Sequence, residues 1–330
     1  MKVLVTGGKG FIGSWVVRGL LDKGILPVVY DLPEKSFLLP GLSGSVEMFD
    51  GDVTDRETLT TALRSSGASM VVHTAALTNV EKTQSQPRET IQTNVQGTLN
   101  VLEAVRESGI HRVVYTSSRG VFGHIEDRHG HPQYELLDET YRCRPQTIYG
   151  ATKFFSECLG ANYARMYGIH FCSLRFSMIY GPGKRPTHGS GAYHSILIEE
   201  SLAGRPVVLP KGADQKDDVI YVRDVAQAIV RAVLAPGLPS PVYLIGTGTP
   251  STPVDFALAI KDLVPQSRIH IGPGLDYLDR GYQNYCIFNI SQARKDLGYS
   301  PEFGLHEGIR DYLLQTTGPE QKKTEDPKKH

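Results

Sequence analysis

The stretch "VLVTGGKGFIGSW", residues 3–15, decides the fold of this chain. A short apolar run leads into four closely spaced glycines, and an amphipathic segment follows. Gly7, Gly10 and Gly13 let backbone amides approach a pyrophosphate at a helix N-terminus, where unpaired N–H groups favour negative charge. Phe11 and Ile12 belong to the same turn. The pattern predicts a strand, a phosphate-binding turn and a helix, which together open a dinucleotide-binding domain.

The rest of the first half alternates short apolar runs with longer amphipathic stretches, as βαβ units do. The predicted strands are "KVLVT", "LPVVYD", "VEMFDGD", "SMVVHTA", "RVVYTSS" and "HFCSLRF". Their continuous Val, Leu and Ile content indicates a sheet buried on both faces. We therefore predict an α/β fold, a Rossmann-type doubly wound parallel sheet. In the stretch 88–109, we expect an apolar helix face made of Ile91, Val95, Leu99, Leu102 and Val105.

The pattern also divides the chain. Residues 1–175 are expected to form the NAD-binding Rossmann domain, and segments from later in the chain are expected to return to it. Residues 176–315 contain Pro/Gly-rich connectors between further helices and short strands, which predicts a smaller, interleaved C-terminal α/β lobe that mainly binds substrate. Residues 316–330 are polar and charged without apolar anchors, so we expect a disordered tail.

Polar groups follow several predicted strands at the edge where an open parallel sheet binds its ligand. Asp31 closes the second strand, and a carboxylate there accepts hydrogen bonds from a ribose diol but repels a 2′-phosphate. NAD is therefore the expected cofactor in preference to NADP. Two further turns on this edge are expected to flank adenine and nicotinamide, and they contain Asp52, Val53, Thr74, Ala75 and Ala76.

The stretch "QTIYGATKFF" places Tyr149 and Lys153 one helical turn apart. A second match, Tyr180 to Lys184, is interrupted by "GPG" and cannot hold helical geometry. A neighbouring ammonium stabilises a phenolate, so we expect Lys153 to lower the pKa of Tyr149. Tyr149 could then exchange a proton with a substrate hydroxyl or ketone while Ser118, at the end of the fifth strand, orients the oxygen. This is the chemistry of hydride transfer at a secondary alcohol.

Composition excludes several partners. Lys plus Arg and Asp plus Glu both number 35, so no overall field draws the protein to nucleic acid or an anionic membrane. Four scattered cysteines indicate free thiols in a reducing compartment, and the N-terminus lacks the pattern of a secretory signal. We expect a cytoplasmic enzyme with a small-molecule substrate. The stretch "HIEDRHGHP" contains metal-ligand residue types without a metal-site spacing, so no metal is predicted.

These motifs together resemble those of the extended short-chain dehydrogenases/reductases of the NAD-dependent epimerase/dehydratase group. "TGGKGFIG" is similar to the family's TGxxGxxG turn, "YGATK" to its YxxxK, and Ser118 to its catalytic Ser or Thr. "NVQGTLNVLEA" and "RFSMIYGPG" resemble further landmarks, which adds Asn94, Phe176 and Ile179 to the implied NAD contacts, beside Tyr149 and Lys153. Family members often pair through two helices in a four-helix bundle, so the resemblance implies a homodimer.

The departures from the family concern the substrate. Dehydratases of this family carry Asp-Glu directly after the Ser or Thr, where this chain has Arg119 and Gly120. Nucleotide-sugar members usually have Asn where Met178 stands and a diphosphate-binding Arg where Asp217 stands, and a carboxylate there would repel a diphosphate. Arg280 is the one counterpart of a second such arginine. The candidate substrate contacts are Thr78, Ser118, Arg119, Met178, Lys184 and Arg185.

The leading interpretation is an NAD-dependent oxidoreductase acting on a secondary alcohol or ketone of a small, polar, carbohydrate-like substrate. The alternative is a nucleotide-sugar 4-epimerase with tightly bound NAD, which would use the same Ser118, Tyr149 and Lys153. A third interpretation is a non-catalytic NAD-binding protein on this fold.

Overall fold

A computed structural model describes residues 1–34, 41–42, 44 and 46–317 of the chain. The strands are β1 (Lys2–Thr6), β2 (Leu26–Asp31), β3 (Glu47–Asp50), β4 (Met70–His73), β5 (Arg112–Ser118), β6 (His170–Phe176), β7 (Met178–Tyr180), β8 (Val207–Leu209), β9 (Asp217–Tyr221), β10 (Val242–Ile245), β11 (Pro250–Ser251) and β12 (Ile269–Ile271).

The helices alternate with these strands along most of the chain. They are α1 (Phe11–Leu21), α2 (Arg56–Ser66), α3 (Val80–Ser85), α4 (Pro87–Ile91), α5 (Gly97–Glu107), α6 (Ile148–Tyr167), α7 (Tyr193–Leu202), α8 (Val222–Leu234), α9 (Pro253–Leu263), α10 (Ser291–Leu297) and α11 (Leu305–Thr317). A π-helical turn, Gln92–Gln96, joins α4 to α5.

The central sheet confirms the predicted doubly wound fold. Its seven parallel strands run in the order β10-β6-β5-β4-β1-β2-β3, so the strand order reverses at β1. Val3 and Val5 point into a core that includes α1 and α8, whereas Leu4 points into a second core with α2 and α5. The sheet is therefore covered by helices on both faces, as its continuous apolar strands require.

The later chain contributes to both parts of the molecule. Val242–Ile245 returns to the central sheet and pairs with β6 as its seventh strand. The three-stranded sheet β11-β9-β7 and the two-stranded sheet β12-β8 form the smaller lobe. Thr316 and Thr317, the first residues of the predicted tail, are the end of α11. The remainder of that predicted tail lies outside the described residues.

One predicted helix face differs from the structure. Leu102 and Val105 are buried as expected, but Ile91 is 52% exposed, and Asn94 and Thr98 face inward in its place. The π-helical turn is the physical reason, because it inserts an extra residue into the helix and so rotates α4 relative to α5. Ile91 is thereby left on the outer side of the helix, and Val95 and Leu99 are only half-buried.

Candidate active site

A pocket opens at the carboxyl ends of β1, β4, β5 and β6, beside the point where the strand order reverses. Sheets of this type bind their ligands at such a point. It brings together most of the predicted site residues: Gly7, Gly10, Phe11, Ile12, Gly13, Thr74, Ala75, Ala76, Thr78, Ser118, Arg119, Tyr149, Lys153, Phe176, Met178, Ile179 and Lys184. The other described lining residues are Val80, Thr116, Ser117, Gly120, Thr147, Ser177, His188, Gly191, Arg280, Tyr282 and Asn284.

The glycine turn has the geometry that a pyrophosphate needs. Gly7 adopts a φ of 68°, and a Cβ on Gly13 would lie 2.1 Å from the Gly7 carbonyl oxygen. Helix α1 begins after Gly10 without a side-chain cap. The N–H groups of its first turn therefore have no intrahelical partner and remain able to bind an anion.

Asp31 lies beside this turn at the end of β2. Its carboxylate accepts hydrogen bonds from the backbone N–H groups of Lys9 and Leu32, both at 2.9 Å, and these bonds fix its orientation. Asp31 is 5% exposed and lies outside the pocket lining, so its contact with an adenosine ribose stays a prediction.

Four other predicted residues also lie outside the lining. Asp52 is exposed, and Val53 is buried in the core against Gly97. The Asn94 side chain hydrogen-bonds the backbone N–H and C=O of Leu77, at 2.8 and 3.0 Å, and so supports the loop after β4. Arg185 is exposed at the surface.

The start of α6 positions Tyr149 against Ser118. The Thr147 hydroxyl caps the helix by accepting a hydrogen bond from the Gly150 N–H at 3.0 Å. A Cβ on Gly150 would lie 2.4 Å from the Gly120 carbonyl oxygen, so glycine permits the close packing of α6 on the turn after β5. The Tyr149 side chain lies beside the Ser118 hydroxyl, which is close enough to influence the pKa of the phenol, and both residues line the pocket. A helix cap ahead of the YxxxK pair is a signal by which sequence reasoning could have found Thr147.

Burial dominates the protonation of the tyrosine and the lysine. Desolvation raises the pKa of Tyr149 to about 12, although the nearby Ser118 hydroxyl acts in the opposite direction. Desolvation lowers the pKa of Lys153 to about 7, with Glu157 opposing that shift. The expectation that Lys153 lowers the pKa of Tyr149 is therefore corrected. The lysine Nζ donates a hydrogen bond to the Thr116 carbonyl at 2.7 Å and lies 5.9 Å from the centre of the Tyr149 ring.

A buried ion pair joins α6 to β6 beneath the pocket. Arg175 on β6 donates hydrogen bonds to both carboxylate oxygens of Glu157, the shortest at 2.7 Å, and the two side chains are 5% and 4% exposed. Ser117 donates to Glu157 Oε1 at 2.5 Å. Glu157 follows Lys153 by one helical turn, so this network ties α6 to β5 and β6 directly beneath the site.

A second buried ion pair lies on the substrate side. Arg119 donates a hydrogen bond to Oδ1 of Asp217, the residue that stands where nucleotide-sugar members usually carry an arginine. Lys184 donates to the Ile179 carbonyl at 2.8 Å and lies 5.5 Å from the centre of the Phe11 ring. Its pKa is lowered to about 7, by burial and then by the charges of Arg119 and Arg280. Tyr282 and Asn284, in an irregular segment, also line this side, and no motif pointed to them.

Polar residues elsewhere in the described part of the chain form no group comparable to Ser118, Tyr149 and Lys153. In the stretch 124–132, Glu126 pairs with Arg142, and His129 Nδ1 lies 3.2 Å from the Glu135 carbonyl. Across the described residues, no three His, Cys, Asp or Glu side chains gather as metal ligands. The thiols of Cys143, Cys158, Cys172 and Cys286 are free. None of the helices in the described part of the chain combines the length and apolarity of a membrane span.

Comparisons with known proteins agree with this geometry. The model of the NAD-dependent epimerase/dehydratase family matches residues 3–246. A putative UDP-glucose 4-epimerase of Methanocaldococcus jannaschii is 30% identical, with 93% of this chain and 96% of the relative covered. A 3-beta-hydroxysteroid dehydrogenase of Mycolicibacterium neoaurum is also 30% identical, over 94% and 90%. The crystal structure of the Thermus thermophilus UDP-glucose 4-epimerase in complex with NAD superimposes with a TM-score of 0.82 at 31% identity, over 97% of this chain and 100% of that one.

Proposed function

The chain belongs to the NAD-dependent epimerase/dehydratase family, and from that premise we propose that its pocket moves a hydride between NAD and a secondary alcohol or ketone of a small, polar, carbohydrate-like substrate. The protein is an NAD-dependent enzyme of the epimerase/dehydrogenase class. One observation carries the proposed site: Ser118, Tyr149 and Lys153 line the same pocket as the glycine turn.

Each side chain has a distinct role in the proposed reaction. NAD, when bound, supplies the acceptor or donor of the hydride. In reduction of a ketone, Tyr149 donates its phenolic proton to the developing alkoxide and becomes a phenolate. In oxidation the phenolate form of Tyr149 accepts the hydroxyl proton and becomes the neutral phenol. The Ser118 hydroxyl holds the substrate oxygen against the phenol. Lys153, anchored on the Thr116 carbonyl, holds the ribose and supplies the nearby charge.

Net oxidation or reduction is the preferred reaction. Asp217 is engaged by Arg119 inside the protein, so this position presents no cation to a nucleoside diphosphate. The alternative is 4-epimerisation of a nucleotide sugar with tightly bound NAD. The relatives favour that alternative by their names, since two of those compared are UDP-glucose 4-epimerases and one is a dehydrogenase.

One experiment separates these reactions. Purified protein is assayed for net NADH formation with free sugars, sugar acids and polyols, and in parallel for isomerisation of UDP-sugars without added NAD. Stoichiometric NADH release supports the dehydrogenase, and interconversion of UDP-sugars at constant NADH would overturn it in favour of the epimerase. Binding of NADH without either reaction favours the non-catalytic interpretation.

The same proposal covers the roles of the two parts of the chain and the assembly of the protein. Residues 1–175 bind NAD, and residues 176–315 mainly form the substrate side. The protein forms a homodimer through the outer face of α4, the π-helical turn, α5 and α6, where Ile91 is 52% and Phe155 54% exposed. We place it in the cytoplasm because its four cysteines are scattered along the chain, as in proteins of a reducing compartment.

A further inference from the structure

Arg119, the residue directly after Ser118, combines two properties that a surface arginine does not have. It lines the pocket, yet it is only 6% exposed, because an ion pair with Asp217 holds it in the wall. Asp217 is 1% exposed and lies behind Arg119, outside the pocket lining. Its Oδ1 also accepts the Asp218 N–H at 2.9 Å, so the carboxylate is fixed and fixes the guanidinium in turn.

The guanidinium is only partly satisfied by this pair. Nη1 donates to Asp217, but Nη2 is buried and has no hydrogen-bond partner among the residues that the structure describes. A buried donor without a partner is costly, and native proteins rarely retain one without a use for it. Because Nη2 is enclosed, an acceptor arriving from the pocket reaches it only as the wall adjusts on binding.

The charges around Arg119 favour an anion as that acceptor. Four of the described lining residues are Lys or Arg, namely Arg119, Lys153, Lys184 and Arg280, and none of them is Asp or Glu. Arg119 and Arg280 both lower the pKa of Lys184, so the three cations lie close together on this wall of the pocket. Outside the lining, the carboxylates near Arg280 are Glu81, Asp217 and Asp276, and Asp276 Oδ1 accepts the backbone N–H of Arg280 at 2.9 Å.

We propose that the substrate is a sugar acid or a similar hydroxy acid whose carboxylate is bound by Arg119, with Lys184 and Arg280 completing the positive surface. This inference rests on the proposed function, since it names the substrate class of the same pocket. A planar guanidinium with one donor already held by Asp217 suits a carboxylate, whose two oxygens accept in the same plane. Asp217 is then a positioning residue, which holds Arg119 but does not touch the substrate.

The test removes the charge pair without leaving one charge buried alone. Arg119→Gln by itself would strand the Asp217 carboxylate and can unfold the protein, so the variant is Arg119→Gln with Asp217→Asn. The NADH-loaded protein is titrated calorimetrically with glucuronate, galacturonate and gluconate, with their neutral counterparts glucose, galactose and glucitol, and with glucose 6-phosphate. Lys211→Gln serves as the control, because Lys211 is a surface cation of the same lobe outside the pocket.

We expect at least one of the acids to bind about tenfold or more tightly than its neutral counterpart, because a charge-assisted hydrogen bond is gained. The double variant loses this preference with NADH affinity unchanged, and Lys211→Gln retains it. Three results would overturn the inference: no acid preferred over its neutral counterpart, a preference that survives in the double variant, or tighter binding of the phosphate than of every acid.

The outcome is distinguishable from failure of the proposed hydride transfer. Tyr149→Phe must still prefer the acids, because the carboxylate is bound without participation of the phenol. A protein that discriminates acids but never forms NADH from any of them contradicts the proposed function and leaves the binding inference standing. A protein that oxidises neutral sugars without preferring acids contradicts the inference alone.

Discussion

At the scale of single residues, burial decides the protonation state of the proposed catalytic groups. Desolvation keeps Tyr149 a neutral phenol, with its pKa at about 12, which suits it to donate a proton to a ketone. The same effect brings the pKa of Lys153 to about 7, where a small change in its surroundings alters its charge. Sequence spacing identifies this pair, but it cannot show how deeply either side chain is buried.

Asp31 carries the first prediction. Asp31→Asn should weaken binding of NAD and raise the affinity for NADP relative to NAD by about tenfold, because the amide no longer repels a 2′-phosphate. Asn keeps an oxygen to accept one of the two backbone N–H groups that hold Asp31. Dissociation constants for both cofactors, measured by fluorescence quenching, check this. An unchanged ratio would mean that Asp31 does not face the ribose.

The partners in the two buried ion pairs could not be predicted from the sequence. Asp217 was recognised as an unusual residue where an arginine is expected, but its partner Arg119 lies 98 positions away in the chain. The sequence alone therefore predicts that Asp217 repels a diphosphate. It does not show that the Asp217 carboxylate holds Arg119. Tyr282 and Asn284 were missed for the same reason, because the fold and not a local motif brings them to the pocket.

At the scale of elements, the strands were predicted closely and the helix faces less so. "KVLVT", "LPVVYD", "RVVYTSS" and "HFCSLRF" coincide with β1, β2, β5 and β6, since apolar runs bounded by turn residues define buried strands. The helical stretch 88–109 was also found, but the π-helical turn Gln92–Gln96 changed which side of it is buried. Periodicity assumes a constant helical repeat, so an inserted residue is invisible to it.

The network that ties α6 to the sheet gives the second prediction. Arg175→Met should lower the free energy of unfolding by about 3–5 kcal/mol, because Glu157 is left as a buried, unpaired charge. The double variant with Glu157→Gln should recover most of the loss, and Gln can still accept the Ser117 hydrogen bond. Urea unfolding of the three proteins measures this. A double variant no more stable than Arg175→Met would show that the charge pair is not the cause.

At the scale of the whole molecule, the sheet order follows from the βαβ rhythm, but the path of the later chain does not. The return of Val242–Ile245 to the central sheet and the pairing of β12 with β8 join segments far apart in sequence. Such contacts depend on the packing of the complete fold. The predicted division into a Rossmann domain and an interleaved lobe did not give the positions of these strands.

The proposed dimer is the third prediction. Phe155 and Met166 on α6 are 54% and 62% exposed, and their spacing puts them on one side of the helix. Ile91, at the end of the neighbouring α4, is also exposed. Phe155→Glu should convert the dimer to a monomer, because the charge would be buried without a partner at the interface. Leu258→Glu is the control, since Leu258 is equally exposed, at 58%, on α9. Light scattering after size exclusion gives the masses, and a dimer that survives Phe155→Glu would place the interface elsewhere.

The most direct test of the account is the rate of hydride transfer in Tyr149→Phe, followed by NADH absorbance in single turnovers with the substrate that the NADH assay identifies. Tyr163→Phe is the control, because Tyr163 lies on the same helix and hydrogen-bonds Glu103 away from the pocket. We predict a loss of about 100-fold or more for Tyr149→Phe with NAD affinity retained, and a nearly unchanged rate for Tyr163→Phe. A full rate of hydride transfer in Tyr149→Phe would contradict the assignment of Tyr149 as the acid/base.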